Sequence, residues 1–169
     1  MEKNRPTRIF IVEDDEMYSL ILKRALEQEG YEIHIFNSGE QMISSWDEDP
    51  DIILLDYYIT SNLGIAMNGE KILRFIRRIS KSLPVIALTA APDITKATSM
   101  LKLGAIDFIV KDIEGLPNLL KTISQVLEAG KLREEMVKNK IMIKKYKQHF
   151  LIIVLSIALM AMTLLWLFA

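Results

Sequence analysis

The sequence predicts an α/β fold, a doubly wound five-stranded parallel sheet followed by a helical linker and one transmembrane helix. Short runs rich in β-branched residues alternate five times with stretches of helical periodicity. These runs are almost continuously apolar, as strands of a parallel sheet covered on both faces are. The last twenty residues carry no charge, proline or glycine. The first two observations predict the sheet, and the third predicts the membrane helix.

The five strands are predicted where four to six apolar residues stand together between polar stretches. They are, in chain order, Arg8–Val12, Tyr31–Phe36, Asp51–Leu55, Pro84–Leu88 and Ala105–Val110. Each run is too short for a helix of average length, and each is bounded by polar or turn-forming residues. Five such runs separated by helices favour an open sheet, with functional residues at the carboxyl ends of its strands.

The helices are predicted in the intervals between these strands and after the last one. The first four are Glu16–Glu29, Ser38–Asp47, Gly69–Ser80 and Ile94–Leu103, and a fifth begins at about Pro117. The fifth runs on into a lysine-rich stretch. Gly130 lies in this helix, where it either breaks it or weakens it by about 1 kcal/mol relative to alanine.

The chain of 169 residues is predicted to hold one domain and one anchor. Residues 7–129 form the domain, which is long enough for a single hydrophobic core. Residues 130–149 form a basic helical juxtamembrane linker, and residues 150–169 form the transmembrane helix. The sequence has no cysteine, which excludes disulfides, thiolate metal sites and cysteine nucleophiles.

The segment Phe150–Ala169 is long enough to cross a bilayer. Twenty residues of helix span roughly 30 Å, about the thickness of the hydrocarbon core. The alternative is a buried core helix, but a domain of this size cannot hide every face of such a helix. We therefore expect a single-pass C-terminal anchor.

The charges beside this segment predict its orientation. Seven Lys and Arg side chains lie between Lys131 and Lys147, against two Glu side chains. Positive charge next to a span is retained in the cytosol and attracts anionic lipid headgroups. The N-terminus, MEKNRPTR, lacks the features of a signal peptide. We expect the domain in the cytoplasm and the C-terminal helix in the membrane.

Polar residues follow or end four of the predicted strands. Glu13, Asp14 and Asp15 follow the first strand and Asp56 follows the third, while Thr89 and Lys111 follow the fourth and fifth. The carboxyl ends of parallel strands meet at one edge of a sheet, so these side chains should converge. Clustered carboxylates repel one another unless a cation compensates, and all-oxygen ligands favour Mg²⁺. A carboxylate beside such a metal, with Lys and Thr donors, can accept a phosphoryl group.

Each of these residues also has a structural interpretation. An acidic residue after a strand often caps the next helix, as Asp14 or Asp15 could. A lone Asp, Thr or Lys at a strand end is commonly a solvated surface residue. The complete set, in this order at four strand ends, favours the functional interpretation.

The stretches that carry these residues resemble a known family. IFIVEDDE, IILLDYY, PVIALTA and LKLGAIDFIVKD, in this order, are similar to the motifs of the receiver domain of two-component response regulators. The resemblance covers residues 7–129. It implies the flavodoxin-like receiver fold, phosphorylation by a histidine kinase, and Mg²⁺ as the cofactor.

The resemblance also implies residue roles. Glu13 and Asp14 match the acidic pair that holds the metal, and Asp56 matches the phosphorylated aspartate, which is also a metal ligand. The backbone carbonyl of Tyr58, two residues further on, matches another metal ligand. The residue at position 15, a third acidic residue, is expected to cap the first helix.

The remaining matched positions bind phosphate or respond to it. Thr89 matches the switch hydroxyl and Lys111 the phosphate-binding lysine. Phe108 matches the aromatic side chain that swings inward on activation.

Three departures from the family pattern stand out. The glycine expected eight residues after Asp56 corresponds to Gly69, thirteen residues on, so the loop between them holds about five extra residues. Asp112 replaces the usual proline after Lys111, so we expect a trans turn there and a different placement of the lysine. Bulky Tyr58 and small Ala91 border the expected path of an attacking water and should alter the lifetime of the phosphate.

Other functional classes fit the sequence less well. DYYIT resembles the D-x-x-x-T motif of haloacid-dehalogenase-like phosphatases, but Tyr58 stands where that family needs a second aspartate. The first strand-to-helix turn is glycine-free and acidic, unlike a nucleotide-binding loop. Residues 1–130 carry 14 Lys and Arg against 20 Asp and Glu, so we expect no nucleic-acid binding.

These observations predict a membrane-tethered phosphoacceptor rather than an enzyme, with only self-phosphorylation and dephosphorylation chemistry. The expected partners are a histidine kinase or phosphotransfer protein, a downstream protein, and membrane lipids. We expect the output contact on the face built by the fourth helix, fifth strand and fifth helix. The alternative is an unphosphorylated scaffold of the same fold, and the complete set of site residues argues against it.

The fifth helix also allows a homodimer. Leu127, Leu132, Met136 and Ile143 fall roughly on one stripe, which could pair two copies of the chain. The alternative for this lysine-rich segment is a solvated, lipid-facing linker.

Overall fold

The computed structural model describes residues 5–59, 68–90 and 93–167. Five strands and five helices alternate along them. The strands are β1 (Arg8–Val12), β2 (Glu32–Phe36), β3 (Ile52–Asp56), β4 (Val85–Thr89) and β5 (Asp107–Val110). The helices are α1 (Glu16–Gln28), α2 (Gly39–Ser44), α3 (Gly69–Ile79), α4 (Ile94–Lys102) and α5 (Gly115–Leu167). A short 3-10 helix, Trp46–Glu48, follows α2.

The strands form one parallel sheet in the order β2-β1-β3-β4-β5. This confirms the predicted doubly wound α/β fold. β3 and β4 each extend one residue beyond their predicted ends, so Asp56 and Thr89 are the last residues of strands. β5 starts at Asp107, two residues after the predicted start at Ala105.

The core lies on both faces of the three central strands. Every residue of β3 and β4 is buried, as are the last four residues of β1. Complete burial explains why these runs are apolar at consecutive positions instead of alternating. The edge strand β2 is only partly buried apart from Phe36, and its sequence, EIHIF, alternates accordingly.

The strand order places a crevice between β1 and β3. From β1 the chain moves to β2 on one side, and from β2 it returns to β3 on the other side. The connections that leave the carboxyl ends of β1 and β3 therefore diverge and leave a crevice outside the sheet. The residues that follow β1 and end β3 border this crevice.

Side-chain caps begin the helices around this edge. Asp15 is the N-cap of α1, and its Oδ1 accepts hydrogen bonds from the backbone N–H groups of Met17 (2.9 Å) and Tyr18 (3.0 Å). The capping function predicted for this residue is confirmed. Asn68 and Asp93 cap α3 and α4 in the same manner.

The described residues from Gln125 onward, all of them in α5, belong to a second compact unit. The helix continues through Gly130 instead of breaking there. Among the residues that the structure describes, α5 is the one helix long and apolar enough to cross a membrane, judged by length and composition. Its apolar segment from Phe150 to Trp166 exposes large side chains.

The close approach of α3 to β3 supplies a test of the fold. An ideal Cβ at Gly69 would lie 2.6 Å from the carbonyl oxygen of Asp56 and 2.9 Å from Cα of Tyr57. Both are backbone atoms that cannot rotate away, so Gly69→Ala should lower the free energy of unfolding by about 1–3 kcal/mol. Urea unfolding followed by Trp46 fluorescence, in a Trp166→Phe background, measures this.

Gly130→Ala is the matched control for this substitution. A Cβ at that helical position meets nothing within 4 Å, and alanine favours the helix, so the same chemical change should not lower the free energy of unfolding of the domain. Equal effects of the two variants would contradict the close packing of Gly69 against β3.

Candidate functional site

The predicted site residues converge at the carboxyl edge of the sheet. The register pairs Val12 with Leu55, Asp56 with Leu88 and Thr89 with Val110. The residues that end or follow these strands are therefore neighbours along one edge. Glu13 and Thr89 are fully buried and Asp56 is 3% exposed, whereas Asp14 is exposed.

The two oxygens of the Glu13 carboxylate have different environments. Oε1 accepts a hydrogen bond from the backbone N–H of Asp15 at 3.2 Å, and Oε2 lies 2.5 Å from Nζ of Lys111. The backbone N–H of Glu13 itself donates to the carbonyl of Phe36 at 3.0 Å. The turn after β1 therefore holds this side chain in the crevice.

Lys111 bridges the two buried carboxylates. Its Nζ lies 3.1 Å from Oδ1 of Asp56, in addition to its contact with Glu13, and its side chain is only 11% exposed. The backbone N–H of Lys111 donates to the carbonyl of Thr89 at 2.7 Å, which positions the residue after β5. One ammonium thus neutralises part of the charge of two desolvated carboxylates.

Three carboxylates surround a position suited to a cation. Ligand oxygens of Glu13, Asp14 and Asp56 lie within 4.8 Å of one another. Three carboxylates exceed the single positive charge of Lys111. An all-oxygen set with one exposed member leaves room for water, which Mg²⁺ retains in most protein sites. These residues therefore fit a hydrated divalent cation.

Burial raises the pKa of the two buried carboxylates, Glu13 and Asp56. Desolvation raises the pKa of Glu13, as does the nearby charge of Asp56, whereas Lys111 lowers it. Desolvation also raises the pKa of Asp56, opposed by Lys111 and by a hydrogen bond from the backbone N–H of Tyr58. Both groups thus hold protons more tightly than free carboxyls, and a bound cation would release them.

Tyr18 is a member of this site that the sequence analysis missed. Its ring centroid lies 5.0 Å from Nζ of Lys111. Burial and the charges of Glu13, Asp56 and Asp112 raise the pKa of its phenol to about 12. The ring therefore stays neutral and contributes its face to the lysine. A tyrosine in the first turn of an amphipathic helix carries no sequence signal that separates this position from an ordinary surface one.

Thr89 and Phe108, the residues expected to respond to phosphate, lie in the two neighbouring strands β4 and β5. Thr89 is buried at the end of β4. Phe108 pairs with Ala87 across the sheet, and its half-buried ring packs against the main hydrophobic core. The roles of Thr89 as a hydroxyl donor and of Phe108 as a mobile aromatic stay predictions.

Tyr58 makes a second unpredicted set of contacts. Its hydroxyl accepts a hydrogen bond from Nζ of Lys96 in α4, and that ammonium lies 4.4 Å from the centre of its ring. In the same region Glu70 of α3 accepts a hydrogen bond from the hydroxyl of Ser99 at 2.6 Å. These contacts join α4 to the turn after β3 and to α3. The ligand role of the Tyr58 carbonyl stays a prediction.

The departures from the family pattern have different outcomes. The turn at Asp112 agrees with the expectation, because none of the peptide bonds in 5–59, 68–90 and 93–167 is cis. Lys111 nevertheless reaches both buried carboxylates, so the replacement of proline does not remove it from the site. Ala91 and residues 60–67 of the longer loop lie outside the described residues.

Comparisons with known proteins agree with this geometry. A family model described as the response regulator receiver domain matches residues 9–124. The regulatory protein AtoC of Escherichia coli (strain K12) is 29% identical over 129 residues, which cover 76% of this chain and 27% of AtoC. The uncharacterized transcriptional regulatory protein YkoG of Bacillus subtilis (strain 168) is 32% identical over 136 residues, which cover 80% of this chain and 56% of YkoG. The chain thus matches between about a quarter and just over half of these relatives' lengths.

A solved structure agrees in fold. The crystal structure of a putative response regulator from Chloroflexus aurantiacus J-10-fl superposes with a TM-score of 0.65 at 28% sequence identity. The match covers 73% of this chain and 99% of that one. Nearly the whole of that chain therefore corresponds to about three quarters of this one.

The raised pKa values predict how the free energy of unfolding depends on pH. In metal-free buffer the native state keeps protons on Glu13 and Asp56 that the unfolded chain has already released. The free energy of unfolding should therefore fall as the pH rises from about 4, the ordinary carboxyl value, through the raised values. Urea unfolding with a chelator at several pH values measures this slope.

Asp56→Asn should flatten that slope, because the amide does not titrate. The matched control is Asp47→Asn, which should leave the slope unchanged. Asp47 is exposed and precedes β3, at the opposite end of that strand. If Asp56→Asn had the slope of the wild type, the carboxyl pair would not be the source of the pH dependence.

Proposed function

The chain belongs to the response regulator receiver domain family, and on this premise we propose that it accepts a phosphoryl group on Asp56. The donor is the phosphohistidine of a histidine kinase or of a phosphotransfer protein. The observation that carries the proposal is the position of Lys111, whose Nζ contacts both Glu13 and Asp56 at the carboxyl edge of the sheet. An exposed or unpaired aspartate would not need such a partner.

In the proposed reaction, a carboxylate oxygen of Asp56 attacks the phosphorus atom of the donor. The bond from phosphorus to the histidine nitrogen breaks, and an acyl phosphate forms on Asp56. Lys111 offers its ammonium to the phosphoryl oxygens, and the Thr89 hydroxyl at the end of β4 donates a hydrogen bond to one of them. Both donors act where negative charge accumulates.

Mg²⁺ is the proposed cofactor. Glu13, Asp14 and Asp56 would hold it, with the backbone carbonyl of Tyr58 as a further ligand. When bound, the ion supplies positive charge beside the phosphoryl group, which three clustered carboxylates would otherwise repel. The excess of carboxylates over the ammonium of Lys111 supports this assignment.

The proposed output is protein–protein contact, and the domain performs no reaction beyond its own phosphorylation and dephosphorylation. The face formed by α4, β5 and the first turns of α5 is the candidate surface. It exposes Leu101 (46%), Ile106 (48%) and Ile113 (97%), which a downstream protein could cover. Phe108 lies in β5 beneath this face and would couple it to Thr89.

The proposed location is the cytoplasmic face of a membrane. Two features of the C-terminal unit support it. The segment that starts at Phe150 is uncharged and continuously helical, and the preceding stretch from Lys131 to Lys147 is strongly basic. The helix would span the bilayer, and the lysines would lie at anionic headgroups on the cytoplasmic side.

The phosphoacceptor proposal predicts a specific modification. Full-length chain in detergent, incubated with acetyl phosphate and Mg²⁺, should gain one phosphoryl group by intact mass. Asp56→Ala should gain none, whereas the control Asp47→Ala should behave as wild type. Lys111→Ala should be phosphorylated on the order of 10²-fold more slowly, because an oriented donor to the phosphoryl oxygens is lost.

An unmodified wild type would contradict the proposal, provided that the same donor and metal modify a control receiver. That outcome would favour an unphosphorylated scaffold of the same fold. A gain of phosphate that persists in Asp56→Ala would place the acceptor elsewhere in the chain.

The membrane proposal is tested by fractionation. The full-length chain should stay in the membrane pellet through high-salt and carbonate washes, because the spanning helix is held by the hydrophobic effect rather than by charge. A 1–149 truncation should be soluble or released by salt. Release of the full-length chain by salt alone would show that the basic stretch is its only attachment.

A further inference from the structure

The basic part of α5 exposes a column of large apolar side chains. Leu132, Met136, Ile143 and Tyr146 are between 54% and 71% exposed in the single chain. They lie on a lysine-rich stretch that also exposes Val137, Ile141 and Met142 outside this column. Exposed apolar side chains at regular helical spacing indicate a surface that another helix covers.

The spacing of this column is that of a coiled coil. From Ala129 to Met160, steps of three and four residues alternate along the helix. The residues reached by these steps define the a and d sites of a heptad repeat. The a residues are Ala129, Met136, Ile143, Phe150 and Ile157, and the d residues are Leu132, Asn139, Tyr146, Ile153 and Met160. All are apolar except Asn139. From Phe150 onward nearly every position is apolar, so the repeat is informative in the basic stretch, where it spans three heptads from Ala129 to His149. A seven-residue apolar repeat of this length favours left-handed supercoiling of paired helices.

We propose that two copies of the chain pair through a parallel, in-register coiled coil formed by residues 128–149 and continued by the apolar segment to Met160. The occupant of the exposed column is therefore the same column of a second copy. The sequence repeat, the exposed side chains and the flanking charges each support this choice. None of them depends on phosphorylation of Asp56.

The charges beside the column select a second copy in parallel orientation. In a parallel pair, each g residue faces the e residue five positions later on the other helix. Glu128 then faces Arg133 of the second copy, and Glu135 faces Lys140 of the second copy. Both pairs are of opposite sign, and two-fold symmetry forms each of them twice.

An antiparallel pair would bring like charges together. In that orientation e residues face e residues, so Arg133, Lys140 and Lys147 of the two helices would oppose one another. Repulsion along this edge disfavours the arrangement. The parallel register is the one in which the helix's own charges are complementary.

The lysine content does not oppose pairing, because most lysines lie away from the column. Lys131, Lys138 and Lys145 occupy c positions and Lys144 a b position, on the outer part of the helix. Asn139 is the polar exception within the column. In the in-register pair its amide, at a d position, would meet the amide of the second copy, whereas a shifted register would bury each amide beside an apolar side chain.

Single-cysteine cross-linking tests the register, since the chain has no cysteine of its own. In full-length protein in detergent, Met136→Cys and Tyr146→Cys should form disulfide-linked dimers under mild oxidation. Glu134→Cys and Gln148→Cys occupy f positions on the outer face of the same helix and should stay largely monomeric. Equal cross-linking at both sets, or at neither set, would overturn the proposal.

A charge-reversal cycle tests the orientation. Glu135→Lys should weaken the dimer about tenfold in sedimentation equilibrium, because two attractive pairs become two repulsive ones of modest strength. The double variant Glu135→Lys/Lys140→Glu should recover the wild-type affinity. Glu134→Lys makes the same charge change on the outer face and should have little effect. A double variant as weak as the single one would overturn the parallel register.

All of these experiments are done without a phosphoryl donor. A monomeric wild type would therefore overturn the pairing and leave the phosphoacceptor proposal standing. Conversely, a chain that pairs as described but gains no phosphate would keep the coiled coil and lose the reaction.

Discussion

The arrangement of the domain depends on one electrostatic constraint, the burial of two carboxylates beside a single ammonium. Glu13 and Asp56 are both nearly inaccessible to water, and Lys111 contacts each of them. Desolvation raises both pKa values, so the pair is held at a cost that only nearby positive charge offsets. A bound cation would complete the compensation. One ammonium and one metal ion at the same place would explain why acidic residues end or follow two strands and a lysine follows a third.

The sheet meets this constraint through its strand order and its close packing. Placing β1 beside β3 opens the crevice outside their carboxyl ends, and β5 delivers Lys111 from the far side of β4. Gly69 allows α3 to begin against the backbone of Asp56 and Tyr57, where a side chain has no room. The position of the Asp56 carboxylate is thus fixed by close packing of the backbone, which allows less displacement than a surface loop would.

Much of this could be read from the sequence, for a physical reason. Buried parallel strands must be apolar at consecutive positions, so the three central strands are recognisable from burial alone. The edge strands β2 and β5 are less buried and are recognisable as short β-branched runs between helices. The strand order brings the residues at the strand ends together. The ends were misjudged where a strand finishes in a polar residue, as at Asp56 and Thr89. Contacts between side chains of separate elements have no local signal in the sequence. The approach of Tyr18 to Lys111 and the bond from Lys96 to Tyr58 depend on how helices sit on the sheet, and side-chain patterns along one helix do not encode that.

Lysine acts differently in the two units of the chain, and the difference follows from solvent. The Lys111 side chain is 11% exposed and contacts two buried carboxylates, so its removal should cost about 3–5 kcal/mol because those charges are left unpaired. The lysines of α5 are exposed, where an ion pair adds little to stability. In the proposed coiled coil the affinity must therefore come from the apolar column, and Glu135 with Lys140 can only choose among alignments. Lys111 thus compensates buried charge in the crevice, whereas Lys140 on the exposed helix would only select the register of the proposed pair.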